Sequence, residues 1–140
     1  MRSAASVDPA ELLSKIGPYQ IDDKIGEGAA GVVYRAHSMD RPDQPQAVAL
    51  KVLKPESMKQ PAMLACFQFE GRVLTRLQHP GILRVYETGM DDGRMYTAME
   101  LIDGHSFDAY LAGRKKLTIT EAIYVARQVA EALDYLHRNG

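Results

Sequence analysis

A single cysteine, Cys66, stands in 140 residues, and tryptophan is absent. One thiol closes no internal disulfide, so the chain is not stapled as small secreted domains are. The four histidines, His37, His79, His105 and His137, lie too far apart in sequence for a zinc-ligand spacing. An excess of either charge is missing too: 17 Lys and Arg oppose 18 Asp and Glu, a formal net charge of −1. That balance supplies no basic field to hold a nucleic-acid backbone or an acidic membrane surface. No run of about eighteen apolar residues occurs, so no segment reads as a membrane span. Met1 to Gly17 holds no apolar run of signal-peptide length, and the expected localisation is cytoplasmic. The remainder, 46% hydrophobic and 25% charged residues, is the composition of a globular domain.

Residues 1–17 read as a flexible lead-in in which Glu11 to Lys15 would make at most a helical turn. From Tyr19 onward, short β-prone stretches alternate with turn residues. Tyr19–Ile25 and Val32–Ala36 flank a glycine cluster and form a hairpin. A polar run, Asp40 to Gln46, leads to a third strand, Ala47–Leu53. Ile82–Thr88 and Arg94–Leu101 flank Met90-Asp91-Asp92-Gly93, where Asp-Gly marks a hairpin turn. The sum is a five-stranded antiparallel sheet. Helical spacing then places Met63, Phe67, Glu70, Leu74 and Leu77 on one face of a helix over 62–77, stopped by His79-Pro80-Gly81. A short helix follows Asp103-Gly104 over 106–111. A long one over 119–137 carries Ile123, Ala126, Val129, Ala130, Leu133 and Leu136 as an apolar stripe; Thr118 to Glu121 forms its capping box and Asn139-Gly140 its stop.

Gly26-Glu27-Gly28-Ala29-Ala30-Gly31 fits Gly-x-Gly-x-x-Gly, which lets backbone amides approach a phosphate. A plain hairpin turn explains it equally well. A dinucleotide-binding fold needs a helix at this loop, whereas Val32-Val33-Tyr34 reads as strand, which argues against an oxidoreductase. Lys51 lies inside an apolar strand, where the bland reading is an edge lysine facing solvent. Glu70 lies on the apolar face of its helix, where a buried carboxylate without a partner would cost several kcal/mol. Either it snorkels to the rim or it pairs, and Lys51 is the obvious partner.

Together these residues resemble the amino-terminal lobe of a eukaryotic-like protein serine/threonine kinase of the type common in bacteria. Gly26-x-Gly28-x-x-Gly31-x-Val33 resembles the glycine-rich loop, Val48-Ala49-Leu50-Lys51 the Val-Ala-Ile-Lys strand, and Glu70 the helix glutamate. His79-Pro80-Gly81-Ile82 resembles the family's His-Pro-Asn-Ile, and Met99-Glu100-Leu101 its gatekeeper and hinge. The resemblance runs from about Gly17 to Gly140. It implies an α+β fold, with residues 18–102 as the amino-terminal lobe and hinge and 103–140 as the start of a carboxy-terminal lobe. It implies ATP as ligand, with Lys51 on the α- and β-phosphates, Glu70 pairing Lys51, and Gly26, Gly28 and Gly31 folding over the phosphates. Ile25, Val33, Ala49 and Met99 would form the adenine slot, Glu100 and Ile102 its hinge contacts, and Asp103 or Ser106 the ribose contact. Sheet core alone would also require the apolar four.

Several positions depart from the family pattern. Ala29-Ala30 replaces a bulky loop tip, loosening the cover over the γ-phosphate. Gly71, after the helix glutamate, costs about 1 kcal/mol relative to Ala and reads as a sign of a mobile helix. The His-Arg-Asp loop, its Asn and the Mg2+-binding Asp-Phe-Gly do not occur in the 140 residues; His137-Arg138-Asn139 reads instead as a helix terminus. The implied activity of the longer protein is γ-phosphate transfer from Mg-ATP to protein Ser or Thr, with this chain inactive alone. The alternative is a pseudokinase-type nucleotide-binding or interaction module. An uncovered stripe on the last helix implies self-association.

Overall fold

In the computed structural model, which describes residues 14–40, 42, 45–114 and 116–139, strands β1 (Lys15–Ile16), β2 (Tyr19–Glu27), β3 (Gly31–Ser38) and β4 (Ala47–Leu53) precede helices α1 (Pro55–Met58) and α2 (Pro61–Leu74). Strands β5 (Val85–Asp91) and β6 (Arg94–Glu100) and helices α3 (Phe107–Arg114) and α4 (Ile119–Asn139) follow. The strands form one antiparallel sheet in the order β1-β2-β3-β4-β6-β5. The expected α+β architecture is present, with six strands rather than five. The additional strand, β1, falls at the end of the stretch read as a lead-in. Ile16 is buried there, and Gly17 turns the chain at φ +53°, so close to Tyr96 that a Cβ would lie 2.6 Å from its hydroxyl. The suggested turn at Glu11 and the stop at Gly140 lie mostly or wholly outside the described residues.

Period-two alternation gives the sheet two different faces. From β4, Val48, Leu50 and Val52 enter one core with Ile16, Tyr19, Val32, Tyr34, Ala36, Tyr96 and Ala98. Each such side chain, fully buried, contributes about 1.5–3 kcal/mol. Ala49, Lys51 and Leu53 point to the other face. There Leu53 meets Phe67 of α2 and Met95 of β6, with Ala30, Met58 and Leu64 packed against them. Helix α2 therefore anchors the Leu53 end of this face, while Lys51 and Met99 remain half-buried.

Pro61 opens α2 at its first turn, where a missing N–H costs nothing. The helix ends at Leu74, short of the expected Leu77. Arg76 and Leu77 instead close tight turns onto the carbonyls of Val73 and Leu74 at 3.1 and 3.2 Å. Gly71 is buried on α2, and a Cβ there would stand 2.2 Å from Thr88 Cγ2 of β5. Its reason is close packing of helix on strand, not the mobility read from its helix propensity.

The β5–β6 hairpin turns through Asp92 (φ 44°) and Gly93 (φ 70°), the paired positive angles of a type I′ turn. Strand β5 begins at Val85, later than the expected Ile82. At the other end of the chain, the Thr118 N–H donates to Glu121 Oε2 at 2.9 Å and the Glu121 N–H to Thr118 Oγ1 at 3.2 Å, a reciprocal capping box. Tyr110 and Arg114 of α3 reach the same carboxylate. Gln78 N–H donates to the Tyr135 hydroxyl at 3.0 Å and the His79 ring lies 5.0 Å from that of Tyr135, which ties the α2–β5 connection to α4. Arg138 pairs with Asp134, and the Asn139 amide donates to the Tyr135 carbonyl, so His137-Arg138-Asn139 belongs to the helix end.

Candidate functional site

Strand register collects the candidate residues. Gly26 opposes Val33, Val33 opposes Lys51, and Lys51 opposes Thr97, giving one row across β2, β3, β4 and β6. Ala49 opposes Met99 in a parallel row. Directly opposed residues share a face and so do residues two apart on a strand; Val33, Ala49, Lys51, Thr97 and Met99 therefore face the α2 side together. Ile25 sits in the irregularity between Lys24 and Gly26, out of register with β3, and its side chain is exposed.

Helix α2 brings Glu70 to this face. Lys51 Nζ stands 3.9 Å from Glu70 Oε2 and 5.7 Å from the centre of the Phe67 ring, within range of a cation–π contact. Glu70 itself is 56% exposed, because the helix turns Phe67 and Gly71 inward and leaves the carboxylate at the rim. Both sequence alternatives are thus realised at once: the side chain reaches the rim and pairs there. Lys51, Glu70 and Met99 line a cavity of about 170 Å³ together with Phe67, Thr97 and Val85. No motif in the sequence marks Thr97, although Met95, Thr97 and Met99 alternate along β6 and announce a shared face.

The glycine-rich segment is a tight connection between β2 and β3, closed by a Gly28 N–H to Gly31 carbonyl bond of 2.9 Å. Its glycines differ in why they are glycine. A Cβ at Gly31 would lie 2.5 Å from the Val52 carbonyl oxygen, so sheet packing alone demands it. A Cβ at Gly28 would meet nothing within 4 Å, and at Gly26 only Val33 Cβ at 3.9 Å. Between them, Glu27 is bridged by Lys24 and Lys54. These lysines, Lys24 first, hold its carboxyl well below the usual range, at about 2.

After β6 the remaining candidates spread along an exposed connection. The Glu100 N–H donates to the Arg84 carbonyl at 2.8 Å. Ile102, Asp103 and Ser106 are exposed, and Ser106 Oγ caps α3 by accepting the Ala109 N–H at 3.2 Å.

Residues 19–140 match the family model described as protein kinase domain. Serine/threonine-protein kinase PknJ of Mycobacterium tuberculosis is 38% identical over 122 residues, covering 87% of this chain and 20% of PknJ. PknD of the same organism is 35% identical over 127 residues, covering 91% of this chain and 19% of PknD. Among solved structures, the PknI kinase domain of M. tuberculosis superposes with a TM-score of 0.78 at 34% identity, covering 92% of this chain and 52% of that domain. The chain spans about a fifth of the length of these curated relatives and about half of the solved domain.

Proposed function

The chain belongs to the protein kinase domain family, and on that premise we propose that its residues form the ATP-holding part of a serine/threonine protein kinase. The observation that carries this reading is the Lys51–Glu70 pair, 3.9 Å apart, on the same sheet face as a glycine-rich connection. Glu70 orients the Lys51 ammonium, whose remaining donors meet phosphate oxygens. Gly28 supports the same reading: the fold leaves room for a Cβ there, and a ligand packed against the loop backbone explains why none is present.

Around this anchor, Ile25, Val33, Ala49 and Met99 supply apolar surface for an adenine ring. Arg84 already takes the Glu100 N–H, so the Glu100 carbonyl and Ile102 N–H remain to meet the purine edge. Ser106 Oγ accepts from Ala109 and keeps its hydroxyl proton to donate; it and Asp103 are the ribose candidates. In the whole protein the reaction is transfer of the γ-phosphate of ATP to Ser or Thr hydroxyls of protein substrates, with Mg2+ neutralising the phosphate charge. The Asp-Phe-Gly whose Asp holds Mg2+ in the family pattern does not occur in the 140 residues, and we assign that ligand to the longer protein. The 140 residues alone bind nucleotide without transferring phosphate.

No helix among the described residues is long and apolar enough to cross a membrane, and we assign the domain to the cytoplasm, where ATP is available. The exposed side chains Ile123, Val129 and Leu133 of α4 form a surface through which the chain associates with itself.

A fluorescent ATP analogue tests the core of this reading. The chain should bind it and Lys51→Ala should lose that binding, with the Lys51→Ala chain still folded by circular dichroism. Equal binding by the two chains would overturn it. With labelled ATP and a generic protein substrate, neither chain should transfer phosphate; Lys51-dependent transfer would refute the inactivity of the 140 residues.

A further inference from the structure

Glu27 lies between Gly26 and Gly28 at the end of β2, and two lysines grip its carboxylate, one from β2 itself and one from the residue that follows β4. Lys24 Nζ stands 2.6 Å from Oε2, and Lys54 Nζ, just past the end of β4, stands 2.5 Å from Oε1. Lys54 also holds the far arm of the connection, since its N–H donates to the Ala30 carbonyl at 3.0 Å. The Ala30 methyl packs on the cluster of Leu53, Phe67 and Met95. Both arms of the loop are therefore fastened to the exit of β4, one through an ion pair and the other through backbone and apolar contact. Lys51 lies on β4, three residues before Lys54.

We propose that Glu27 is a positioning residue for the nucleotide: by bridging Lys24 and Lys54 it seats the glycine-rich loop on the exit of β4, ordered before the phosphates arrive. The proposal rests on the ATP reading above and deepens it.

Two physical effects compete at this position. A carboxylate beside a polyphosphate repels it, and removing that charge releases two cations, which alone would tighten binding. Seating acts in the other direction, because a loop ordered in advance spares the binding step that ordering cost. The side chains of Glu27, Lys24 and Lys54 are all partly exposed, so at physiological ionic strength solvent and salt screen the positive charge that the removal adds. The seating effect dominates.

ADP affinity of the full 140-residue chain at physiological ionic strength, with amide hydrogen exchange over residues 28–31, reads both effects. Glu27→Gln and Lys54→Met should each weaken ADP binding by about two- to fivefold, the scale of an exposed ion pair, and speed exchange in the loop. Both substitutions break the Glu27–Lys54 pair and Glu27→Gln breaks the Lys24 pair as well, so the double variant should bind no worse than Glu27→Gln alone. Lys54→Met keeps the backbone bond to Ala30, so the change isolates the side chain. Binding by Glu27→Gln as tight as, or tighter than, that of the unsubstituted chain would overturn the proposal, as would unchanged loop exchange. If the unsubstituted chain binds no ADP, the nucleotide reading itself falls; if it binds and Glu27→Gln is neutral, that reading stands and only the role of Glu27 is lost.

Discussion

Gly71 of α2 and Thr88 of β5 are packed so tightly that a Cβ added at Gly71 would lie 2.2 Å from Thr88 Cγ2. Helix propensity alone favours Ala at this position by about 1 kcal/mol. Overpacking a fitted contact costs about 1–3 kcal/mol. Packing wins here, because Gly71 is buried and faces a strand of the sheet rather than solvent. Gly71→Ala should lower the urea midpoint, and Gly71→Ala/Thr88→Ser, which removes the offending methyl, should recover most of the loss. A Gly71→Ala chain more stable than the original would show that α2 shifts freely.

The two glycines flanking the loop tip separate fold from ligand. Gly31→Ala forces a Cβ to 2.5 Å from the Val52 carbonyl oxygen, which is backbone and cannot step aside, so thermal unfolding should move down by several degrees, the response to about 1 kcal/mol or more in a domain of this size. Gly28→Ala meets open space and should leave unfolding unchanged while weakening ADP binding. Equal ADP affinity for Gly28→Ala and the original chain would remove the ligand from the explanation of that glycine.

The Glu121 carboxyl is held at about 2, below its ordinary 4.5, first by the Thr118 N–H and then by the Tyr110 and Thr118 hydroxyls. A lowered value in the folded state means that the unfolded chain takes up the proton more readily. The contribution of Glu121 to stability is therefore complete above the ordinary carboxylate value and disappears as pH falls from about 4.5 toward about 2. Tyr110 is shifted upward, chiefly by its bond to Glu121, so its contribution fades on the alkaline side instead. Unfolding followed from pH 7 downward should show Glu121→Gln less stable at neutral pH and the two curves converging in acid. A constant gap between the curves would mean that the charge of Glu121 does not contribute.

Alternation along β4 is enough to place Lys51 on the face opposite Leu50 and Val52, and helical spacing is enough to put Glu70 beside Phe67. What spacing cannot show is how far a helix is rolled on its sheet. That roll, set by Phe67 and Gly71, leaves Glu70 at the rim and not in the interior. Strand β1 has only two residues and carries no period to read; its burial depends on Gly17 fitting against Tyr96, far along the chain. The Glu27 bridge is half visible, since Lys24 is a near neighbour in sequence. Lys54 joins it only once β3 and β4 are in register. The capping box at Thr118, by contrast, is wholly local and legible as such.

Along α4, Ile123, Val129 and Leu133 are each about half exposed or more, and none of the described residues of the helix is buried. An exposed apolar stripe of this kind finds a partner, and at high concentration the available partner is a second copy. Light scattering of the 140-residue chain should show a mass rising with concentration. Val129→Lys/Leu133→Glu should return it to monomer without changing the Lys51–Glu70 region, because the stripe lies on the exposed helix and not in either core of the sheet. A monomer at all concentrations in the original chain, or association that survives the double substitution, would assign the contact elsewhere.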